Sequence, residues 1–168
     1  MFIPTIYIEN IKPENKSIEV SSNKLHHLKN VLRIRDEDKI NISNGKGLVF
    51  YGNFVNNCVK INNSRMYERQ NSLRIFVPYL REKNRFRFLI EKLTELNVNE
   101  VHIGMTENTQ NTNYNKSKIL DWAISALEQS GSAYLPSLFF PDNLNFSVFS
   151  TCLDISGEKL NKNREKLN

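Results

Sequence analysis

At 168 residues, with 39% hydrophobic and 24% charged side chains, the chain has the make-up of a water-soluble globular protein of one ordinary or two small domains. It holds no run of about 18 apolar residues, and its opening, MFIPTIYIENIKPEN, has no basic end ahead of an apolar stretch, which argues against a spanning helix or a secretory leader and for a cytoplasmic location. The net charge of +5 is concentrated early, since residues 1–72 carry 11 Lys and Arg against 7 Asp and Glu and the remainder 12 against 11, so a polyanion such as RNA is favoured there.

In chain order, residues 1–72 read as short strands around one helix, the grammar of a small barrel. A strand near Ser17 to Val20 precedes a helix from Ser22 to Leu32, with Ser22 as N-cap and Leu25, Leu28 and Leu32 on one face. The alternating runs KINIS, LVFYGNFV and CVKIN come next, with turns at Asn44-Gly45-Lys46-Gly47 and Asn56-Asn57. Tyr51 and Phe54 lie on these strands and fit a core better than a stacking platform.

The polar stretch Asn62 to Ser72 marks a boundary, giving units of 1–72 and 73–158 and a polar tail at 159–168. Beyond it, LRIFVPYL and EVHIGM are near-continuous apolar runs separated by periodic segments, the pattern of a parallel sheet covered on both faces. A helix over Arg85 to Asn97 places Phe86, Leu89, Ile90, Leu93 and Leu96 on one face. A second, Lys116 to Ser130, carries Ile119, Leu120, Ala123, Ala126 and Leu127, and Gly131 then Pro136 end it. A strand at Ser137 to Phe140 completes the alternation. Cys58 and Cys152 lie far apart and read as buried structural thiols; with the three histidines they make no metal-ligand spacing.

Three stretches in this order, HHLKNVLRIRDEDKINISNGKG at His26 to Gly47, EKLTELNVNEVHIGMTEN at Glu91 to Asn108 and WAISALEQSGSAYLP at Trp122 to Pro136, resemble the methyltransferases that modify N3 of a uridine in 16S ribosomal RNA. These are a branch of the knotted SPOUT class. The resemblance implies an α/β fold with an N-terminal PUA-like β-barrel that docks on RNA, then a SPOUT-type α/β knot domain with a parallel sheet, here incomplete. The family's glycine-rich run of the type GPEGG and its LGxRILRxETA segment, which form the knot and the donor pocket, have no counterpart before Asn168. The only candidate after Pro141 is DISGEKL at Asp154 to Leu160.

The resemblance further implies S-adenosyl-L-methionine as methyl donor with no metal, 16S rRNA in the small ribosomal subunit as partner, no membrane association and a possible homodimer. It makes Glu128, Gln129 and Glu107 the catalytic candidates, with Glu128 orienting or deprotonating the uracil imide. A surface carboxylate near a helix end is the bland alternative for Glu128. Thr106, Glu107 and Asn108 come after a strand, at the edge where ligands collect in open α/β sheets. Ser132 stands where many members have an arginine. Lys92 and Glu95 match a family pattern on the first helix but suit an ordinary intrahelical pair.

For RNA contact the candidates are His27, Lys29, Arg33, Arg35 and Lys46, with Arg33 foremost because a guanidinium can grip a phosphate through two parallel hydrogen bonds. His27 can stack on an unpaired base, whereas His26 can complete the barrel core. A non-catalytic RNA-binding module derived from the same family is the competing reading.

Overall fold

The computed structural model describes residues 3–69, 72–106, 109 and 114–141. The first half is one five-stranded sheet with the order β1-β3-β4-β5-β2, built from β1 (Thr5–Tyr7), β2 (Ser17–Glu19), β3 (Lys39–Ser43), β4 (Leu48–Val55) and β5 (Cys58–Met66). β1 runs parallel to β3 and every other pairing is antiparallel. The sheet curls into a half-barrel around Ile6, Leu28, Ile40, Ile42, Phe50, Phe54 and Val59, all buried. Gly52 marks the bend: the β4–β5 register shifts between Tyr51 and Gly52, and a Cβ at Gly52 would sit 2.2 Å from the Lys60 carbonyl oxygen, so only glycine lets the strands approach there.

The helix that closes the half-barrel departs from the sequence expectation. α1 spans Ser22–His26 and then widens into a π-helical turn over His27–Val31, where the Leu32 amide donates to the His27 carbonyl five residues back. The wider turn rotates the residues beyond it out of phase with α1. Leu28 is buried and Leu25 packs against the core, but Leu32, expected on the same face, is exposed. The N-cap is Ser21, not Ser22, and its side chain makes no capping bond. The half-buried Cys58 is less enclosed than its expected role as a buried thiol; Cys152 lies outside the described residues.

The second half alternates β6 (Arg74–Pro78), α2 (Lys83–Glu95), β7 (Glu100–Gly104), α3 (Lys116–Ser130) and β8 (Ser137–Phe139). The three strands are parallel in the order β6-β7-β8. Phe86, Ile90 and Leu93 from α2 and Ile119, Trp122 and Ala123 from α3 bury against Val77, Val101 and Ile103. Among the described residues both helices therefore cover one face of the sheet, where coverage of both was expected. Phe76, His102 and Phe139 share the other face by strand alternation, and the His102 ring stacks on Phe139 at 4.7 Å.

Two expected core leucines point outward. Leu96 is exposed because α2 ends at Glu95 and Asn97 turns left-handed, which removes the phase that would have buried it. Leu120 is exposed while Trp122, absent from the expected stripe, is buried. α3 itself has the expected bounds: the Asn115 side chain caps its start by accepting from the Ser117 amide at 2.9 Å, and Gly131 ends it at φ +68°. No described helix is long and apolar enough to cross a membrane.

Candidate functional site

The seam between the two halves is built from backbone as well as side chains. The β3–β4 turn pairs with the segment after α3: the Gly47 amide donates to the Ala133 carbonyl at 2.9 Å and the Leu135 amide to the Gly45 carbonyl at 2.8 Å. Both glycines have positive φ, and a Cβ at Gly47 would lie 2.7 Å from the Tyr134 hydroxyl. The Tyr134 hydroxyl donates to the Tyr67 carbonyl. Gly45 and Gly47, turn signals in the sequence, prove equally to be packing residues for the other half.

Glu128 is the second clamp. It leaves α3 toward the half-barrel, where its Oε1 accepts a hydrogen bond from the Tyr7 amide at 2.8 Å and from the Lys24 ammonium. Its side chain is 24% exposed and that of Lys24 30%, so solvent screens the ion pair only in part. The carboxylate expected to work on a uracil imide is thus engaged in joining α1 and β1 to α3. Gln129 is exposed on the next position of the helix. Glu107 and Asn108 lie outside the described residues; Thr106 beside them binds Thr109 through its amide and hydroxyl, at 2.8 and 2.7 Å.

His27, Lys29, Arg33 and Arg35 are exposed along the π-helical turn and the segment after it. Lys29 donates to Asn57 at 2.6 Å and lies 6.0 Å from the Phe54 ring, and the Glu37 amide donates to the Phe54 carbonyl, so Lys29 and the chain just after Arg35 lie by the β4–β5 turn. Arg33 adopts φ +55°, a left-handed conformation that turns the chain out of the helix. Lys46 is not with them. It sits at the other end of β4, a strand of eight residues and hence roughly 25 Å away, where it pairs with Glu9 at 3.5 Å. His26 does not complete the core: it is exposed and hydrogen-bonds Asn30 at 2.9 Å. Lys92 and Glu95 form the intrahelical pair that the sequence suggested, at 2.7 Å.

Beside the Gly47–Tyr134 contact the seam opens into a cleft of about 670 Å³ whose lining includes Tyr51, Tyr67, Arg69, Asn97, Ser132 and Tyr134. The hydroxyls of Tyr51 and Tyr67 are 2.6 Å apart, and burial, then this hydrogen bond, pushes Tyr51 up to about 12. The Arg69 guanidinium lies 4.5 Å from the Tyr134 ring centroid, and burial lowers its proton affinity. Phe54 is the core aromatic expected of it; Tyr51, assigned with it to the core, is half-buried at this cleft. Among the described residues no group of three or more His, Cys, Asp or Glu is placed to hold a metal.

Comparison with known proteins gives a consistent result. The model of an RNA methyltransferase domain matches residues 68–154, and that of an RNA methyltransferase PUA domain matches residues 21–51. The chain is 30% identical over 153 residues to the ribosomal RNA small subunit methyltransferase E of Buchnera aphidicola subsp. Schizaphis graminum, covering 83% of this chain and 62% of that protein. It is 29% identical over 162 residues to the protein of the same name from Buchnera aphidicola subsp. Acyrthosiphon pisum, covering 89% of this chain and 62% of that protein. It thus spans less than two thirds of the length of these relatives. The crystal structure of a ribosomal RNA small subunit methyltransferase E from Neisseria gonorrhoeae, bound to S-adenosyl methionine, superposes with a TM-score of 0.71 at 20% identity, covering 83% of this chain and 62% of that one.

Proposed function

The chain belongs to the family of RNA methyltransferases that includes the small-subunit ribosomal RNA methyltransferases E, and from that premise we propose that it serves the methylation of N3 of a uridine in 16S ribosomal RNA, with S-adenosylmethionine as donor. The observation that carries this reading is the fixed attachment of the basic half-barrel to the α/β half through Gly45, Gly47 and Glu128. A rigid seam converts docking at one place into positioning at another, and positioning dominates the rate when two reactants must be held in attack geometry. We place the RNA-binding unit at residues 1–72, the methyltransferase portion at 73–158, and the work itself in the cytoplasm.

In this reading His27, Lys29, Arg33 and Arg35 hold phosphates near the β4–β5 turn, and Lys46 makes a separate contact at the seam. The net reaction replaces the N3 proton of the uracil by a methyl group. Glu128 supports it by keeping α3 in place against β1, and a direct role in taking up the imide proton would require it to release Lys24. Gln129 and Glu107 are proposed to face the reacting base.

The β3–β4 glycine turn does not fit the methyl donor, so in this reading the donor is held by other residues. Gripping adenosine and methionine calls for an open backbone turn free of side chains, yet the left-handed glycines of the β3–β4 turn are filled by Tyr7, Leu135 and Tyr134.

Incubation with intact small subunits or large subunits and methyl-labelled S-adenosylmethionine tests the reading. Label on small-subunit RNA alone is expected; equal labelling of both, or of neither, contradicts it. Isothermal titration with the donor separates this reading from a purely RNA-binding role, which predicts no binding of the donor.

A further inference from the structure

The seam cleft is lined by residues from both halves, and its chemistry is particular. Three tyrosines, four neutral amide- or hydroxyl-bearing side chains and one arginine meet in a space of about 670 Å³, inside the range of about 300–1,000 Å³ typical of small-ligand sites. Tyr51 and Tyr67 come from β4 and the end of β5, Tyr134 from the segment after α3, and Asn97 and Ser132 bind each other at 2.6 Å on the opposite wall. Arg69 is short of acceptors. Its Nη2 makes one long bond to the Leu135 carbonyl, 3.4 Å, and its buried Nε has no partner among the described residues. A guanidinium carries five donors, and buried donors left unmatched are uncommon enough to ask for an explanation.

The sign of the lining selects the ligand. Glu68 and Glu95 also border the cleft, and among the described residues only Glu95 is paired, with Lys92. A phosphate would meet a carboxylate there, whereas a neutral ring bearing carbonyl oxygens would meet aromatic surfaces and an arginine fork. Unpaired bases in RNA are held in this manner, stacked on tyrosine or arginine planes with their edges hydrogen-bonded.

We propose that the seam cleft receives one unpaired pyrimidine base of the RNA, stacked among Tyr51, Tyr67 and Tyr134 with its carbonyl oxygens accepting from Arg69. This rests on the reading of the chain as an RNA-binding member of its family. The cleft would then act as a second anchor, set apart from the phosphate contacts at the β4–β5 turn. One RNA strand held at both places could not slide along the half-barrel, and its register would be fixed.

The test uses labelled oligouridylate RNA, the same oligomer with abasic positions, and 4-thiouridine crosslinking mapped by mass spectrometry. Arg69→Gln is expected to weaken oligouridylate binding by about tenfold, the size of one lost charged hydrogen bond, and to leave binding of the abasic oligomer unchanged. Tyr51→Phe, which keeps the ring, guards against a variant that misfolds. It should bind oligouridylate as the parent does, because the stacking surface is kept, whereas Tyr51→Leu, which removes the ring, should weaken oligouridylate binding about fivefold or more and leave the abasic oligomer unaffected. Crosslinks should fall on Tyr51, Tyr67 or Tyr134. Crosslinks confined to residues 27–35, with Arg69→Gln binding as the parent does, would overturn the cleft proposal and leave RNA binding standing. An equal loss on abasic RNA would show a phosphate contact and also overturn it. Absence of binding to either oligomer and to small-subunit RNA would overturn the family reading with it.

Discussion

Replacing Glu128 by alanine removes two interactions at once, the acceptor for the Tyr7 amide and the partner of the Lys24 ammonium. Both partners remain in place, and neither is well exposed. An exposed ion pair is worth about 0–1 kcal/mol, but a hydrogen bond to a charged group contributes roughly 1.5–3 kcal/mol, and an amide left without an acceptor adds to the loss. With side chains 24% and 30% exposed, the pair lies between these limits, so a destabilisation of about 2 kcal/mol is expected. Glu128→Gln keeps an acceptor for Tyr7 and should cost about half as much. The assay is urea denaturation monitored by Trp122 fluorescence, which reports the α/β core because Trp122 is the sole tryptophan, and in parallel by far-ultraviolet circular dichroism, which reports the whole chain. The parent should give coincident transitions, and the alanine variant transitions that separate as the half-barrel loses its clamp. A double-mutant cycle with Lys24→Met should show coupling of about 1 kcal/mol. Coincident, unshifted transitions in Glu128→Ala would refute the assignment of Glu128 as a clamp.

Gly47→Ala places a methyl group against the Tyr134 hydroxyl and the Tyr67 carbonyl at a φ of +101°, so it should cost about 2 kcal/mol or more, read as a fall in the urea midpoint. Phe86→Ala empties the centre of the α/β core, where Phe86 is fully buried among Tyr79, Tyr114 and Trp122, and a loss of about 3–5 kcal/mol is expected in the same assay. The hydrogen bond from Arg74, then that from His102, holds the Glu100 carboxyl below its ordinary value of 4.5. Its stabilising effect is therefore present above that value and lost as pH falls through the lower, folded one; the acid limb of a stability profile should flatten slightly in Glu100→Gln. Binding to small-subunit RNA should weaken steeply with salt, and Arg33→Ala should lower affinity by about tenfold.

Much of the fold is legible in the sequence because period and punctuation agree. β3, β4 and α3 have the expected bounds: KINIS and LVFYGNFV alternate, and Asn115 and Gly131 frame an apolar stripe. β1 gives no sequence signal, since three residues are too few to show a period, and it is held by parallel pairing with a strand more than thirty residues away. The end of β5, Asn62 to Met66, reads as boundary because its side chains are mostly polar; its strand character comes from backbone pairing with β4. Leu32 and Leu96 depart from expectation for a shared reason, a local change of helical phase that composition does not record.

The site is less legible than the fold. The glycines of NGKG read correctly as turn residues, but nothing local says that Tyr134, nearly ninety residues on, fills the space they leave. Glu128 looks catalytic on its motif alone, and its engagement with Lys24 and Tyr7 depends on a contact across 104 and 121 residues. Arg69 lies in a stretch that reads as linker. A lone arginine flanked by polar residues gives no sign that its guanidinium is buried against an aromatic ring from the other half.

Methylation at uridine N3 is read by nucleoside mass spectrometry of small-subunit RNA from a strain in which this chain's gene is deleted and then restored. N3-methyluridine should be lost on deletion and regained on restoration. Unchanged N3-methyluridine, or a change only in methylation at another uracil atom or at the ribose, would contradict it.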